Sequence, residues 1–584
     1  MTTLTTPRPP LPELIEVKRS DPVYMAHAYL TKVPVTAILP FINAFTEPGE
    51  VVLDPFAGSG MTGVAAAILG RRARLFDISV LGQHIGMNYL NLVDANTLRK
   101  HSEAVTAAAR ERIGNVYGVR CQRCRSVAEL IKTVWSVVVR CRSCSGPVIF
   151  YDALKAADWS KDRMGCPACG APVSSRDDRI GETPVLDSIA CPCSRTQIEQ
   201  PHSPPLAQPR MPGLQWPDLL IEAHRQMYQA SALGRHGLTS TAKFFSTRNL
   251  AVLATVKDEI ERLDDPALRD KLRFAFTAIL ARASKRYQWS RQRPLNAANA
   301  TYYLATVFYE WNVFDLFARK VDALVKSDDW IRARHGDGTL FHQADDIDVA
   351  YELASATALP LPDDSVDYVF MDPPFGSNIF YADMNLFQEA WLGRTTDWSQ
   401  EAVVDRTATP ANRTSERYET LLTAALRECV RVLKPGGWIT MVFGNSSGAV
   451  WSLAQRAVAA AHLAIDPDKT ATLNKGQRSV KGLASGFENV ATLDLVLSMQ
   501  PSEPSRTWAF QKPATSDVEA VVHRLLTQEA EPTPSYLYLE LLRHGFRHGW
   551  DLGELDLSHV SGIVAAQGFT VHPKTGRLTG FLGP

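Results

Sequence analysis

The sequence lacks any apolar run of about 18 residues, the length a helix needs to span a bilayer. Residues 1–16 are Pro-rich and polar and do not form a basic-then-apolar leader, so the expectation is a cytoplasmic protein with no membrane partner. Net charge is also missing. Lys and Arg total 62, as do Asp and Glu, so no global field draws the chain to a polyanion and any such binding must be local. No repeat of solenoid period recurs. Cysteine is absent from most of the chain, since all but one of its 9 copies fall within residues 121–193. What is present is a 45% hydrophobic fraction over 584 residues, which supports folded domains and is too much chain for one core.

Two stretches carry chemistry. Residues 51–63 read Val-Val-Leu-Asp-Pro-Phe-Ala-Gly-Ser-Gly-Met-Thr-Gly, a buried strand that stops at a Gly-rich turn. Residues 368–376 read Tyr-Val-Phe-Met-Asp-Pro-Pro-Phe-Gly, a second strand that stops at a rigid corner. Both turns fall at the carboxyl ends of strands, where open α/β sheets bind ligands. A Gly-rich strand-to-helix turn lets backbone approach a ligand and aims helix amides at negative charge. Asp77, closing the next strand, stands where a dinucleotide fold puts its ribose-binding acid. The turn is not Gly-x-Gly-x-x-Gly, however, and no hydride-transfer motif accompanies it, which disfavours NAD.

Periodicity predicts a helix over 36–45, a strand over 51–53, a helix over 61–69 and a strand over 73–76, which is half of a doubly wound sheet. The pattern breaks after about residue 118. A Pro-rich linker over 195–217 leads to a mainly helical block, in which Leu250, Leu253, Val256, Ile260 and Leu263 recur at helical spacing. Further helices are expected over 268–286 and 301–325. The sheet pattern then resumes with a strand over 366–371, a helix over 418–433, a turn at Lys434-Pro-Gly-Gly437, a strand over 438–443, a helix over 450–461 and a strand over 490–499. In the tail, helices are expected over 518–528 and 536–546, serving ordinary packing more than binding. Two stretches are rich in basic residues, 110–142 with only Glu111 and Glu129 as acids and 282–293 with Tyr287 and Trp289 interleaved, and suit phosphate contact with base stacking or a plain solvated face.

The clustered cysteines form Cys121-x2-Cys124, Cys141-x2-Cys144, Cys166-x2-Cys169 and Cys191-x-Cys193, the spacing of tetrahedral zinc sites. Two structural Zn2+ ions are expected, and the simplest pairing joins Cys121, Cys124, Cys141 and Cys144, then Cys166, Cys169, Cys191 and Cys193. Interleaved pairing and His202 as a replacement ligand stay open. Cys429 reads as a buried helix residue.

Asp54-Pro-Phe-Ala-Gly-Ser-Gly60 and Asp372-Pro-Pro-Phe375 resemble the cofactor and catalytic motifs of S-adenosylmethionine-dependent amino-methyltransferases of nucleic acids. With the zinc knuckles between them, the chain resembles adenine-specific DNA methyltransferases that carry a Zn-ribbon insertion. The resemblance implies an α/β, Rossmann-like methyltransferase sheet interrupted by a zinc-ribbon plus helical insertion, with a small, mostly helical C-terminal module. Residues 17–110 would form the first half of that sheet with the cofactor motif, and 111–205 the zinc ribbon with two four-cysteine sites. A helical target-recognition insertion would follow over 206–344, then the catalytic half over 345–500 and an accessory module over 501–584. Thr31, Lys32, Asp54, Pro55, Phe56, Ala57, Gly58, Gly60 and Asp77 would contact S-adenosylmethionine, Asp77 through the ribose hydroxyls. The region 355–358, Ser-Ala-Thr-Ala, lacks the acidic residue that the family often places near the adenine ring.

The catalytic residues implied are Asp372, Pro373, Pro374 and Phe375. An exocyclic amine is a poor nucleophile because its lone pair is delocalised into the ring. The Asp372 carboxylate and the Pro373 carbonyl, both accepting from the NH2 group, would localise that pair, and two successive prolines preorganise the acceptors. Phe375 would stack on a base flipped out of the duplex. Tyr381, Asp383, Phe387 and Trp391 are candidates for the pocket wall, and residues 444–447 for the target-base side. In this family Asp at the first corner position leans towards N6-adenine. The expected partner is DNA, with restriction or phage-defence proteins beside it. The alternatives are an RNA guanine-N2 or DNA cytosine-N4 methyltransferase, or a zinc-dependent nucleic-acid-binding protein with an inactive methylase core.

Overall fold

A computed structural model of the chain describes residues 8–18, 20–210, 213–291, 302, 304–335, 348–376, 379–404, 414–475, 491–503, 510–528, 532–572 and 575–580. In chain order its main strands are β1 Leu14–Glu16, β2 Val51–Asp54, β3 Arg72–Asp77, β4 Gly118–Arg120, β5 Val127–Arg140, β6 Pro147–Ile149, β7 Arg179–Ala190, β8 Ile198–Pro201, β9 Val307–Trp311, β10 Val349–Leu353, β11 Val366–Met371, β12 Leu433–Phe443, β13 Leu463–Asn474 and β14 Asp494–Pro501. The helices that matter to the site are α1 Pro22–Ala26, α2 Val35–Phe45, α3 Met61–Ile68, α4 Val80–Leu90, α5 Ala95–Ile113, α6 Phe150–Ala156, α7 Gln226–Ala230, α8 Thr247–Glu261, α9 Pro266–Ala283, α10 Val313–Arg332, α11 Tyr381–Leu392, α12 Ser415–Val432 and α13 Gly448–Ala460.

The fold is mixed α/β, built on an eight-stranded sheet in the order β1-β13-β14-β12-β11-β2-β3-β10. From β10 to β12 every pairing is parallel, while β14 runs antiparallel to both its neighbours. β2 and β11 are apolar throughout their cores because both faces of the sheet are covered. One face packs under α2, α3 and the insertion. The other packs against α12, α13 and the helices Thr515–Gln528, Pro534–His548 and Leu557–Ala566, whose Val522, Leu537, Leu541 and Leu542 are buried with Trp451 and Met441. The tail therefore completes the core, as the apolar spacing of those helices requires.

A second sheet belongs to the insertion. β5 runs its length beside β7, and its other edge carries β4, β9 and β6 in succession. The helix expected over 301–325 is corrected here. Residues 307–311, Val-Phe-Tyr-Glu-Trp, form β9 and are buried on both faces, and the helix α10 begins after Asn312, whose side chain caps it at Phe314 N–H, 3.0 Å. Aromatic and β-branched residues fit a pleated, two-sided core better than a helix, and the long strand β5 supplies the partner. The expected turn at residues 434–437 is a bulge inside β12: Val366 pairs with Leu433 and Tyr368 with Trp438, with Gly436 at φ +82°. The strand expected over 490–499 is described from Asp494, and its first residue lies outside the described residues.

α5, α8, α9 and α10 cover the insertion sheet and dock it on the first half of the main sheet. A buried ion pair joins two of them: Lys271 of α9 to Asp328 of α10, 2.7 Å, each side chain 1% exposed, with Lys271 also donating to Asn88 O of α4, 2.9 Å. Burial raises the Asp328 carboxyl to about 6 and lowers Lys271, so desolvation outweighs the attraction on both sides. Lys271→Met leaves Asp328 buried without its cation and should cost about 3–5 kcal/mol in urea unfolding, with Lys271→Met/Asp328→Leu recovering much of the loss. A single variant as stable as the wild type contradicts this account.

Candidate active site and metal centres

The carboxyl ends of β2, β3 and β11 lie side by side, and between β2 and β11 the strand order reverses, which opens a crevice at that edge. One cavity occupies it, lined by Tyr29, Thr31 and Lys32, by Asp54 to Ser59, by Asp77 and Ser79, by Ser355 to Thr357, and by Asp372, Pro374, Tyr381, Asn385 and Glu401. The Gly-rich turn and the Asp-Pro-Pro corner thus share a single space. Of the residues singled out in the sequence, Pro373, Gly60 and Phe375 are not among its walls. Gly60 instead lets two helices close: at φ +75°, a Cβ there would lie 2.5 Å from the Gly86 Cα on α4. Phe375 packs on Phe443 with ring centroids 5.1 Å apart.

The turn is held from within. Asp54 accepts from Phe56 N–H, 3.0 Å, and Thr62 Oγ1, 2.5 Å; Asp77 accepts from Gly58 N–H, 2.8 Å, and Ser79 N–H, 2.9 Å. Ala57 N–H goes to Phe76 O and Gly60 N–H to Ala57 O. Most turn amides are therefore engaged, and the donors facing the cavity are expected from the start of α3, which has no side-chain cap. The corner is equally fixed: Tyr418 Oη donates to Pro374 O, 2.6 Å, and Asn445 Nδ2 to Phe375 O, 3.2 Å.

Electrostatics define the cavity further. Burial pushes the Asp54 carboxyl up to about 8, with Asp372 and Asp77 adding to the rise; burial also lifts Asp77. Asp372 is raised to about 7, again by burial, with Lys475 opposing and Asp494 reinforcing. Lys475 and Asp494 pair at 2.5 Å beyond the end of β13 and at the start of β14. Carboxyl groups crowded into one desolvated space favour a cation among them.

Lys32 lines the cavity with its ammonium already engaged. Its ammonium donates to Tyr24 O, 2.5 Å, His27 O, 2.7 Å, and Tyr89 Oη, 3.4 Å, and burial lowers it to about 7. It anchors the segment that walls the cavity. Thr31, at φ +55°, meets Tyr381 Oη at 2.5 Å, so that segment is tied across the cavity to α11. Of the expected wall residues on α11, Tyr381 reaches the cavity. Asp383 pairs with Arg225, 2.8 Å, Phe387 packs on Phe244, and Trp391 on Phe276, so these three bind α11 to the insertion. Tyr29, Ser79, Asn385 and Glu401 were not foreseen. Tyr29 stacks on Tyr381 at 6.2 Å; Asn385 Nδ2 donates to Ser79 Oγ, 3.2 Å; Glu401 accepts from Tyr381 N–H, 2.5 Å, at the start of α11. The one usable signal was Ser79, which caps α4 two positions after Asp77.

The eight clustered cysteines form two tetrads, and the pairing corrects the simplest expectation. Cys121, Cys124, Cys191 and Cys193 make one, and Cys141, Cys144, Cys166 and Cys169 the other. Sulfur separations of 3.4–3.8 Å across the tetrads match the edge of a tetrahedron with Zn–S bonds of about 2.3 Å. Each Cys-x2-Cys is followed by a left-handed residue, Arg125, Ser145 or Gly170. The donor set and spacing fit zinc. Interleaving arises because β5 and β7 are antiparallel: Cys121 precedes β5 while Cys191 follows β7, and Cys141 at the far end of β5 meets the loop that leads into β7. His202 is not a ligand; its Nδ1 contacts Asp187 at 3.1 Å. Cys429 is buried in α12.

Comparison with known proteins places the turn in context. Residues 14–93 match a family model described as DNA methylase. The matched segment contains the whole Gly-rich turn and Asp77, and ends far short of Asp372. A similar curated protein is "Putative methylase YubD" of Escherichia coli (strain K12), 47% identical over 66 residues, which is 11% of this chain and 27% of that protein. The chain thus spans just over a quarter of that relative's length. Among solved structures, the [4+2]-cyclase SpnF aligns over 26% of this chain and 57% of its own at 14% identity, with a TM-score of 0.15.

The tetrad pairing is testable by zinc content. Cys121→Ala/Cys193→Ala should lose one of two bound zinc ions, and Cys121→Ala/Cys141→Ala should lose both, by mass-spectrometric metal analysis. The reverse pattern would restore the sequential pairing.

Proposed function

We propose that the protein transfers a methyl group from S-adenosylmethionine to the exocyclic amine of a flipped DNA base, N6 of adenine, on a Rossmann-like methyltransferase sheet. The observation that carries this reading is the shared cavity in which Asp54 and Asp77 of the Gly-rich half face Asp372 of the corner. The match of residues 14–93 to DNA methylases supports it, as does a sheet whose parallel strands end together at the crevice.

S-adenosylmethionine supplies a methyl group activated on a sulfonium. The residues present fit it: carboxyl groups surround the space, Asp77 ends its strand beside the turn, and a Cβ at Gly58 would lie 3.3 Å from the Tyr29 ring. Asp77 is placed to accept from ribose hydroxyls, and the uncapped start of α3 to donate to a carboxylate. Asp372 acts as hydrogen-bond acceptor for the target amine, which concentrates its lone pair towards the methyl donor, and positioning matters more than proton removal. Tyr418 and Asn445 keep the corner's carbonyls in place. Phe375, leaning on Phe443, offers a ring beside the corner for the base. The two zinc ions brace the insertion, since four-thiolate sites are closed.

Incubation with labelled S-adenosylmethionine and separate pools of duplex DNA, single-stranded DNA and RNA should give label in DNA, recovered as N6-methyladenine. Label confined to RNA refutes the substrate, and N4-methylcytosine corrects the base. Asp372→Ala should abolish labelling with cofactor binding retained. Because the Asp372 carboxyl is raised to about 7, it becomes a neutral and weaker acceptor as pH falls. kcat/KM should therefore decline below about pH 7 and level off above it, and Asp372→Asn should lose that acid limb. A wild-type profile that stays flat from pH 5.5 to 8 excludes a titrating Asp372.

A further inference from the structure

The insertion carries a group of cations that the cavity does not use. Trp311, buried at the end of β9, is approached by three of them: Lys132 Nζ lies 5.0 Å from the ring centroid, the Arg319 guanidinium 5.4 Å and the Arg282 guanidinium 5.5 Å. Lys132 also lies 4.8 Å from Tyr309, and Arg282 4.9 Å from Tyr287, whose hydroxyl accepts from Arg282 Nη2 at 2.9 Å. The three come from β5, α9 and α10, so the tertiary fold assembles the group. Arg282 and Arg319 are exposed and Lys132 is half-buried.

The facing acids are few. Among the described residues, Asp315 pairs with Arg319 one turn away on α10, and Glu199 of β8 acts on Lys132. Lys320 adds a fourth cation behind the group. Burial lowers Lys132, with Glu199 opposing and Arg319 adding a smaller fall; Lys320 is pushed down to about 8 by burial and then by Arg282. Lys132 and Lys320 thus each feel a neighbouring guanidinium of the same sign. The aromatic faces hold them there despite that repulsion, worth about 0.5–1 kcal/mol each at exposed sites. A polyanion laid over the group would relieve it.

Lys320 also connects the group to the cavity. Its ammonium donates to Ala26 O, 2.8 Å, at the end of α1, and the chain then runs directly into Tyr29, Thr31 and Lys32 of the cavity wall. We propose that Lys132, Arg282 and Arg319, gathered around Trp311, form a docking surface for the phosphate backbone of duplex DNA whose target base enters the cavity. This rests on the DNA reading above. Charge complementarity selects a polyphosphate, and the DNA reading makes it a duplex.

The test is a fluorescence-anisotropy titration of labelled duplex DNA at several salt concentrations. Each phosphate contact contributes about 0.9 to the slope of log affinity against log salt, so Lys132→Gln/Arg282→Gln/Arg319→Gln should lower that slope by about 3. S-adenosylmethionine affinity by calorimetry should be unchanged, and the melting temperature should fall by only a few degrees as the contacts with the rings are lost. The charge-preserving Arg282→Lys/Arg319→Lys variant should keep the wild-type slope. Should the triple variant not fold, Arg319→Gln alone, on an exposed helix face, should lower the slope by about 1. An unchanged slope in a folded variant, with wild-type protein still binding duplex, overturns the surface and leaves the DNA reading standing. Wild-type protein that binds RNA and no duplex overturns both.

Discussion

Everything at the proposed site depends on the pairing of β2 with β11. Val52 lies opposite Tyr368 and Leu53 opposite Val369 in a parallel register, and the Asp367 carboxylate seals the other end by accepting from Val51 N–H at 2.9 Å across 316 positions of sequence. A slip of one residue would send every side chain of β2 to the opposite face and carry Asp54 away from Asp372. Both strands are buried on both faces, so the hydrophobic effect enforces that register at each apolar position.

The consequence is electrostatic. Asp54, Asp77 and Asp372 are held where burial resists their ionisation, and Asp372 and Asp77 both raise Asp54. Packing from elsewhere must offset that cost, and the molecule supplies it in layers. Lys32 binds the segment that carries Thr31; Arg225 pairs with Asp383 at the base of α11; the C-terminal helices close the far face of the sheet. The two cysteine tetrads stand at opposite ends of the long β5–β7 pairing, where a metal at each end would keep the insertion sheet from fraying. Glu310 of β9, bound by Arg248, Ser246 and the Trp135 indole, locks the middle of that sheet to α8.

Legibility in the sequence varied with the range of the forces involved. Strand β11, helix α3 and the Gly-rich turn were visible because their determinants are local: an apolar run, an Ala-rich stretch, and a turn that ends in Gly60. β9 was misread as helix because Val307 to Trp311 gains its conformation from pairing with Lys132 to Ser136, which no local window contains. The cysteine pairing stayed open for the same reason, and the simplest choice failed because antiparallel strands bring the first and last pairs together. Lys32 lines the cavity as its place beside Thr31 suggested, but that three oxygens would hold its ammonium depends on Tyr24, His27 and Tyr89 and was not legible from its own stretch.

The sequence by itself determined the kinds of chemistry present: a Gly-rich strand-end turn, an Asp-Pro-Pro-Phe corner, and thiolates at zinc spacing. These depend on bonds and torsions within a few residues, so the string of letters suffices. Tertiary structure alone decided that turn and corner share one cavity, that Tyr29, Asn385 and Glu401 wall it, and that Lys132, Arg282 and Arg319 meet around one ring. Those outcomes depend on long-range strand register and helix packing, where burial and charge act between segments that have no connection along the chain.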